Sequence, residues 1–218
     1  MKPHCSDRGR RGLTITEVLV VIAALLLITT IVLPFLAASK KKASRISCVN
    51  CLKENYLGFR IWAGDYDDKF PTEVLTEKGG AMEAAEAGDI VRIIQVASNE
   101  LSTPKILVCP EDSTKKGATN FSVGFDRDHI SYFVGIDMTQ SNPSSLFMGD
   151  DNLSVNGNQV KSGMLRLSTN AFATWTTGRH DYGGNVGLVD GNVSQLRFND
   201  LQKIIVGTGV ATNRLAIP

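Results

Sequence analysis

Nine residues separate His180 from Asp190, and Gly191 follows the aspartate directly. An imidazole and a carboxylate make a general acid/base pair, and both ligate divalent metals. Asp-Gly is also a tight-turn pair, and read that way His180 packs over a hairpin and hydrogen-bonds a loop. Asp150, Asp151 and Asn152 offer oxygen ligands suited to calcium, as do Asp65, Asp67 and Asp68. Neither group has EF-hand spacing, and solvated loop acids are the plain alternative. Cys48 and Cys51 have the C-x-x-C spacing of redox and zinc sites, but no partner ligands accompany them in sequence. The sequence holds no glycine-flanked serine nucleophile, no paired-histidine zinc motif and no phosphate loop. These residues predict a protein that is not an enzyme, with calcium as the only cofactor to consider.

The elements that position these residues follow from periodicity. Residues 186–189 and 193–196 flank Asp190-Gly191-Asn192, a hairpin with a type I′ turn. Ile130, Tyr132, Val134 and Ile136 alternate as in a half-buried strand. Residues 145–148 and 164–167 are further strands, and residues 105–109, bracketed by Pro104 and Pro110, read as another. Gly79-Gly80 marks a break, and residues 89–101 then place Ile90, Ile93, Ile94, Ala97 and Leu101 on one helical face. Asn199 suits the cap of a last short helix with Leu201, Ile204 and Ile205 inside and Gly207 at its end. Residues 208–218 read as irregular.

The N-terminal third is different. Residues 13–33 carry a single charge, Glu17, and as a helix rise about 31 Å, the hydrocarbon thickness of a bilayer. Lys2, Arg8, Arg10 and Arg11 precede this stretch. A carboxylate inside such a span costs on the order of 2.5–3.5 kcal/mol and is usually functional. Pro34 ends the stretch or weakens the helix there. Residues 39–66 continue as helix, with Ile46, Val49, Lys53, Tyr56 and Phe59 in a stripe widened by Leu52 and Trp62. With 218 residues, 43% hydrophobic and 21% charged, the chain is neither disordered nor polytopic. A formal net charge of +1 excludes the strong basic field of a dedicated nucleic-acid binder, and beyond the first twelve residues the balance is −2. Lys40, Lys41, Lys42 and Arg45 just past the span offset the basic start, so charge alone leaves the topology open.

The run Arg10-Arg11-Gly12-Leu13-Thr14-Ile15-Thr16-Glu17, leading into Val18-Leu19-Val20-Val21-Ile22-Ala23, resembles the N-terminus of type IV prepilins and type II secretion pseudopilins. Leu13 stands where that family usually has Phe. The resemblance implies cleavage between Gly12 and Leu13 by a prepilin peptidase and N-methylation of Leu13. It implies pairing of Glu17 with a neighbouring subunit's terminal ammonium during assembly, and a weak point in the helix at Pro34. It also sets the topology: leader in the cytoplasm, single span in the inner membrane, C-terminal domain periplasmic. The implied partners are the peptidase, other pilin-like subunits, an inner-membrane assembly platform and membrane lipid, with no nucleic acid.

A second resemblance lies in residues 179–193, similar to the H-x9-DG region of bacterial prepilin-like proteins. Ser47-Cys48-Val49-Asn50, Cys109-Pro110-Glu111-Asp112 and Gly149-Asp150-Asp151-Asn152 are similar to the same class. By residue type alone Cys48 or Cys51 can pair with Cys109, or all three can stay as thiols. The resemblance favours Cys48 with Cys109, because Cys51 occupies a position that is usually Asn in the class. The expected fold is α+β and pilin-like, a long N-terminal helix packed on a small antiparallel sheet. The layout is leader 1–12, span 13–33, amphipathic continuation 34–66 and head 67–218. The expected function is a structural subunit of a secretion or pilus-like filament. The alternative is a membrane-anchored periplasmic binding module or metal-dependent enzyme using His180 and Asp190.

Overall fold

A computed structural model describes Gly12 and residues 14–218. The expected leader up to Arg11 and the methylation site Leu13 lie outside the described residues. Helix α1 (Ile15–Gly64) runs 50 residues with Pro34 inside it, so the proline is not a helix end. Its start is capped: the Thr14 amide and hydroxyl each donate to Glu17 Oε2 at 2.8 Å. Thr14-Ile15-Thr16-Glu17 is thus a capping box, which satisfies a backbone donor that the first turn leaves unpaired. Ile15–Leu36 is 22 residues of mean hydropathy 2.9 with none of it buried, apolar and long enough to cross a bilayer.

Ser44–Pro218 forms a compact α+β unit. The part of α1 inside this unit buries Cys48, Leu52, Asn55, Phe59, Trp62 and Ala63. The expected stripe is therefore rotated: Ile46 is 51% exposed and Lys53 is exposed, whereas Leu52, Phe59 and Trp62 face inward. Two short helices, α2 (Met82–Glu86) and α3 (Ile90–Val96), follow, and Asp89 caps α3 by accepting from the Arg92 amide.

Nine strands come next: β1 (Tyr132–Gly135), β2 (Leu146–Asp150), β3 (Leu153–Val155), β4 (Asn158–Gln159), β5 (Gly163–Ser168), β6 (Ala173–Trp175), β7 (Gly183–Leu188), β8 (Val193–Arg197) and β9 (Thr212–Ile217). Helix α4 (Leu201–Gly207) sits between β8 and β9. The main sheet has the order β5-β9-β1-β2-β7-β8, and every neighbouring pair is antiparallel. A small sheet, β4-β3-β6, completes the head.

Both faces of the main sheet are covered, which explains why β1 is buried at all four residues instead of alternating. Tyr132, Val134, Phe147 and Met148 pack with Leu52 and Phe59 of α1. Phe133, Leu146, Val186 and Leu215 pack on the other side with Leu201 and Ile205 of α4 and with Trp175. Phe147 meets Tyr56 and Phe59 edge-on at centroid distances of 5.4 and 5.3 Å, a preferred aromatic geometry.

Four expectations need correction. Pro104–Leu107 is a 3-10 turn and not a strand: the Thr103 hydroxyl accepts from the Lys105 amide, and Pro104 opens the turn. Residues 212–217 are strand and not irregular, and β9 lies between β5 and β1. Arg214 interrupts its apolar pattern, but its Nε donates to Asp137 at 2.8 Å and its Nη1 to Glu86 at 2.7 Å. The residue at the α4 cap position is Asp200, not Asn199. The 190–191 hairpin is not type I′: only Gly191 is left-handed (φ 83°), and the Asp190 carboxylate accepts from the Asn192 amide at 2.8 Å.

Candidate functional site

The polar centre of the head is the corner that leads into β7. His180, Asp181 and Tyr182 all adopt left-handed backbone (φ 53°, 50° and 63°), unusual for three consecutive non-glycine residues. Each such residue costs roughly 1–3 kcal/mol, so surrounding contacts must hold the corner in place. Glu111 Oε2 accepts from the His180 amide at 3.0 Å and lies 2.9 Å from His180 Nδ1. Arg45 of α1 donates to the His180 carbonyl and pairs with Asp181 at 3.4 Å. Beyond the corner, Gly184 lies against Trp175, and any Cβ there would run into the indole ring.

The His180 side chain is buried. Its Nε2 lies 3.3 Å from Cys109 Sγ, 3.2 Å from Asn185 Nδ2 and 3.4 Å from Asp150 Oδ2. Asp150, at the end of β2, is fully buried, and its Oδ2 accepts from the Asn185 amide at 2.6 Å and from Asn185 Nδ2 at 2.9 Å. Burial pushes the Asp150 carboxyl up from its ordinary range, against the pull of His180, Arg179 and the Asn185 donors.

Arg179 gathers a second set of acids. Its guanidinium lies 3.2 Å from Asp112 Oδ2 and 3.9 Å from Asp150 Oδ1, pairs closely with Asp151, and donates to the Ser131 carbonyl at 3.0 Å. Desolvation acts to raise Asp112, but the Thr114 hydroxyl, Arg179 and the Ser131 hydroxyl outweigh it and hold the carboxyl below its ordinary range. An open cleft of about 290 Å³ borders this cluster, lined by Asp112, Lys115, Asp151, Asn152, Gln159 and Arg179 among others. His180 is not part of its lining.

These positions redistribute the residues picked out in the sequence. His180 and Asp190 lie at opposite ends of β7, and each has other partners, so the nine-residue spacing does not build an acid/base or metal pair. Asp150 and Asp151 face the Arg179 guanidinium, and Asn152 Nδ2 donates to the carbonyls of Thr176 and Gly183. An internal cation thus takes the role that calcium would have among these oxygens. Cys48 and Cys109 form a disulfide with Cα atoms 5.4 Å apart, and Cys51 is a free thiol. Gly191 closes the hairpin under Tyr56, whose hydroxyl donates to the Val189 carbonyl at 2.7 Å.

Glu111, Asp112, Arg179 and Asn185 carry the site without having been recognised as ligands in the sequence. Three of them have adjacency as a signal, since Glu111-Asp112 follow Cys109-Pro110 and Arg179 precedes His180, whereas Asn185 has none. Comparison with known proteins finds no matching family model, no matching curated protein and no matching solved structure.

Proposed function

We propose that the chain is a pilin-like structural subunit, anchored by one span in the inner membrane with its head in the periplasm. On this reading it is cut after Gly12 by a prepilin peptidase, methylated at Leu13 and drawn into a type II secretion or type IV pilus-like filament. The observation that carries the proposal is α1 itself. Its first 22 residues are apolar and unburied, while its residues from Cys48 to Ala63 furnish one wall of a folded head. An unburied apolar segment of this length needs a lipid or protein environment. A filament core of neighbouring helices supplies the second.

Glu17 is the charged exception within that segment. In one subunit it is occupied by Thr14. In a filament, a neighbour's terminal ammonium next to it offsets the burial of either charge and sets the register of adjacent subunits. The work of the protein is then mechanical, and the head presents a surface to other subunits or to cargo.

The test is the intact mass of the protein extracted from membranes of its native host. The proposal expects a chain beginning at Leu13 with one added methyl group. A chain that still begins at Met1 in cells with an active prepilin peptidase overturns it.

A further inference from the structure

The disulfide and His180 form a cluster with a chemistry of its own. The ligand atoms of Cys48, Cys109 and His180 all lie within 4.8 Å of one another, and all three residues are buried. We propose that, when the Cys48–Cys109 disulfide is reduced, this cluster is a zinc site, ligated by Sγ of Cys48, Sγ of Cys109, Nε2 of His180 and Oδ2 of Asp150. The inference is independent of filament assembly and concerns the head alone.

Spacing supports it first. Tetrahedral zinc with bonds of about 2.0–2.3 Å sets neighbouring ligand atoms about 3.3–3.8 Å apart. Nε2 of His180 already lies 3.3 Å from Cys109 Sγ and 3.4 Å from Asp150 Oδ2. Rotation about the Cα–Cβ bonds of the two cysteines moves the freed sulfurs from bonding distance to such an edge.

The outer contacts match the same chemistry. Glu111 Oε2 accepts from the His180 amide and lies 2.9 Å from Nδ1, which sets a carboxylate beside the ring nitrogen opposite Nε2, as around many zinc-bound histidines. Asn185 holds Asp150 Oδ2 through two donors. Two thiolates and a carboxylate exceed the ion's charge by one, and Arg179, 3.9 Å from Asp150 Oδ1, offsets part of that excess while also facing Asp112 and Asp151. A small cleft of about 20 Å³, lined by Arg45, His180, Gly184 and Asn185 among others, borders the imidazole.

The two states exclude each other. A dithiol reductant transfers two electrons and two protons to the cystine and leaves as its own disulfide. Zinc binding then releases the two thiol protons to solvent. Oxidation by any disulfide donor reverses the exchange and expels the metal. Cys51 takes no part: it faces Tyr132, and burial together with Glu54 pushes its thiol up, away from the thiolate a metal needs.

The experiment uses the full chain in detergent micelles, reduced with dithiothreitol, freed of reductant without oxygen, and titrated with Co(II) as the probe for zinc. Near-ultraviolet circular dichroism of Trp62 and Trp175 reports the fold of every sample. The expected result is one Co(II) per reduced chain with a thiolate-to-cobalt charge-transfer band, displaced by Zn(II) and absent from the oxidised chain. Cys51→Ser leaves the band intact, Cys109→Ser abolishes the tight site, and His180→Asn weakens uptake at least tenfold. The proposal is overturned if reduced wild type takes up no cobalt, if the oxidised chain binds equally well, or if tight uptake survives Cys109→Ser. It is also overturned if reduction collapses the tryptophan signal and zinc does not restore it.

Discussion

Arg179 is the counter-charge for Asp112, Asp150 and Asp151, and its side chain is almost fully buried. Replacing it by Met keeps the unbranched stem and removes the charge, which leaves acids buried without compensation. Arg179→Met is expected to lower stability by roughly 3 kcal/mol, read as a shift of the denaturant midpoint in tryptophan fluorescence of the full chain in micelles. An unchanged midpoint would show that water reaches these carboxylates. The two buried aspartates also give pH dependence of opposite sign. Asp112 is held below its ordinary 3.8, so its contribution is present above that value and fades as pH falls through the lowered one. Asp150 is raised above 3.8, so its contribution is full below 3.8 and is lost as pH rises through the raised value. Asp150→Asn should therefore flatten the decline above pH 3.8 and leave the acid limb in place, as measured by denaturation at stepped pH. His180 stood out in the sequence because histidine is rare here. Cys109 and Asp150 stood out for other roles, but their meeting with His180 did not, because residues 109, 111, 150 and 185 come together only after the sheet has formed. Glu17 has a related ambiguity. Its acidity in an apolar span is legible in the sequence, whereas its role as acceptor for the Thr14 amide and hydroxyl appears only once the helix start is formed. Glu17→Ala should remove the acceptor that the Thr14 amide and hydroxyl use, yet remain membrane-resident and processed. Cross-linking between subunits in membranes should fall sharply in the same samples. Wild-type cross-linking would remove the assembly role.

Among the elements, the long helix was the most legible, because its two halves announce themselves by composition and by periodicity. Its inward face lies part of a turn from the expected stripe: residues through Ile46 and Lys53 compete with those through Cys48, Leu52, Phe59 and Trp62, and packing on the sheet selects the second. The 3-10 turn at 104–107 looked like a strand because Ile106 and Leu107 are apolar. What holds it is Asn55, buried in α1, whose Nδ2 donates to the Ile106 carbonyl at 2.9 Å. The adjacent disulfide spans 61 residues, and closing so long a loop in the unfolded chain predicts stabilisation of roughly 2–4 kcal/mol. Cys109→Ser should lose about that amount in chemical denaturation of the metal-free chain. Hairpin β7–β8 was legible as a turn but not in its type, since Asp-Gly serves several. Gly191 is left-handed, and a Cβ there would lie 2.8 Å from Tyr56 Cε1. Gly191→Ala should destabilise the head by roughly 1–3 kcal/mol, while Asp190→Asn, which keeps an acceptor for the Asn192 amide, should change it far less.

At the scale of the molecule, α1 joins a lipid-compatible segment to a head with two covered sheet faces, and the proposed orientation has a direct check. An export-dependent reporter fused after Pro218 should be active, and activity of a cytoplasmic reporter alone would reverse the topology. The least legible feature at this scale was β9. Thr212, Asn213 and Arg214 mask the strand pattern, and only Leu215, Ala216 and Ile217 look like core. Yet β9 pairs with six residues of β5 on one side and with β1 on the other, between Gly163↔Ile217 and Val134↔Ala216. This bears on the order in which the molecule comes into being. A chain made and threaded from its N-terminus offers β1, β2, β5 and β7 well before residue 217 emerges. Until then β5 has no neighbour in the main sheet, and one edge of β1 stays open to strands of other chains. The apolar segment can be seated in a bilayer while the head is still waiting for β9. Folding of the head is thereby deferred until residue 217 has emerged, and the open edge is a template for mispairing during the interval.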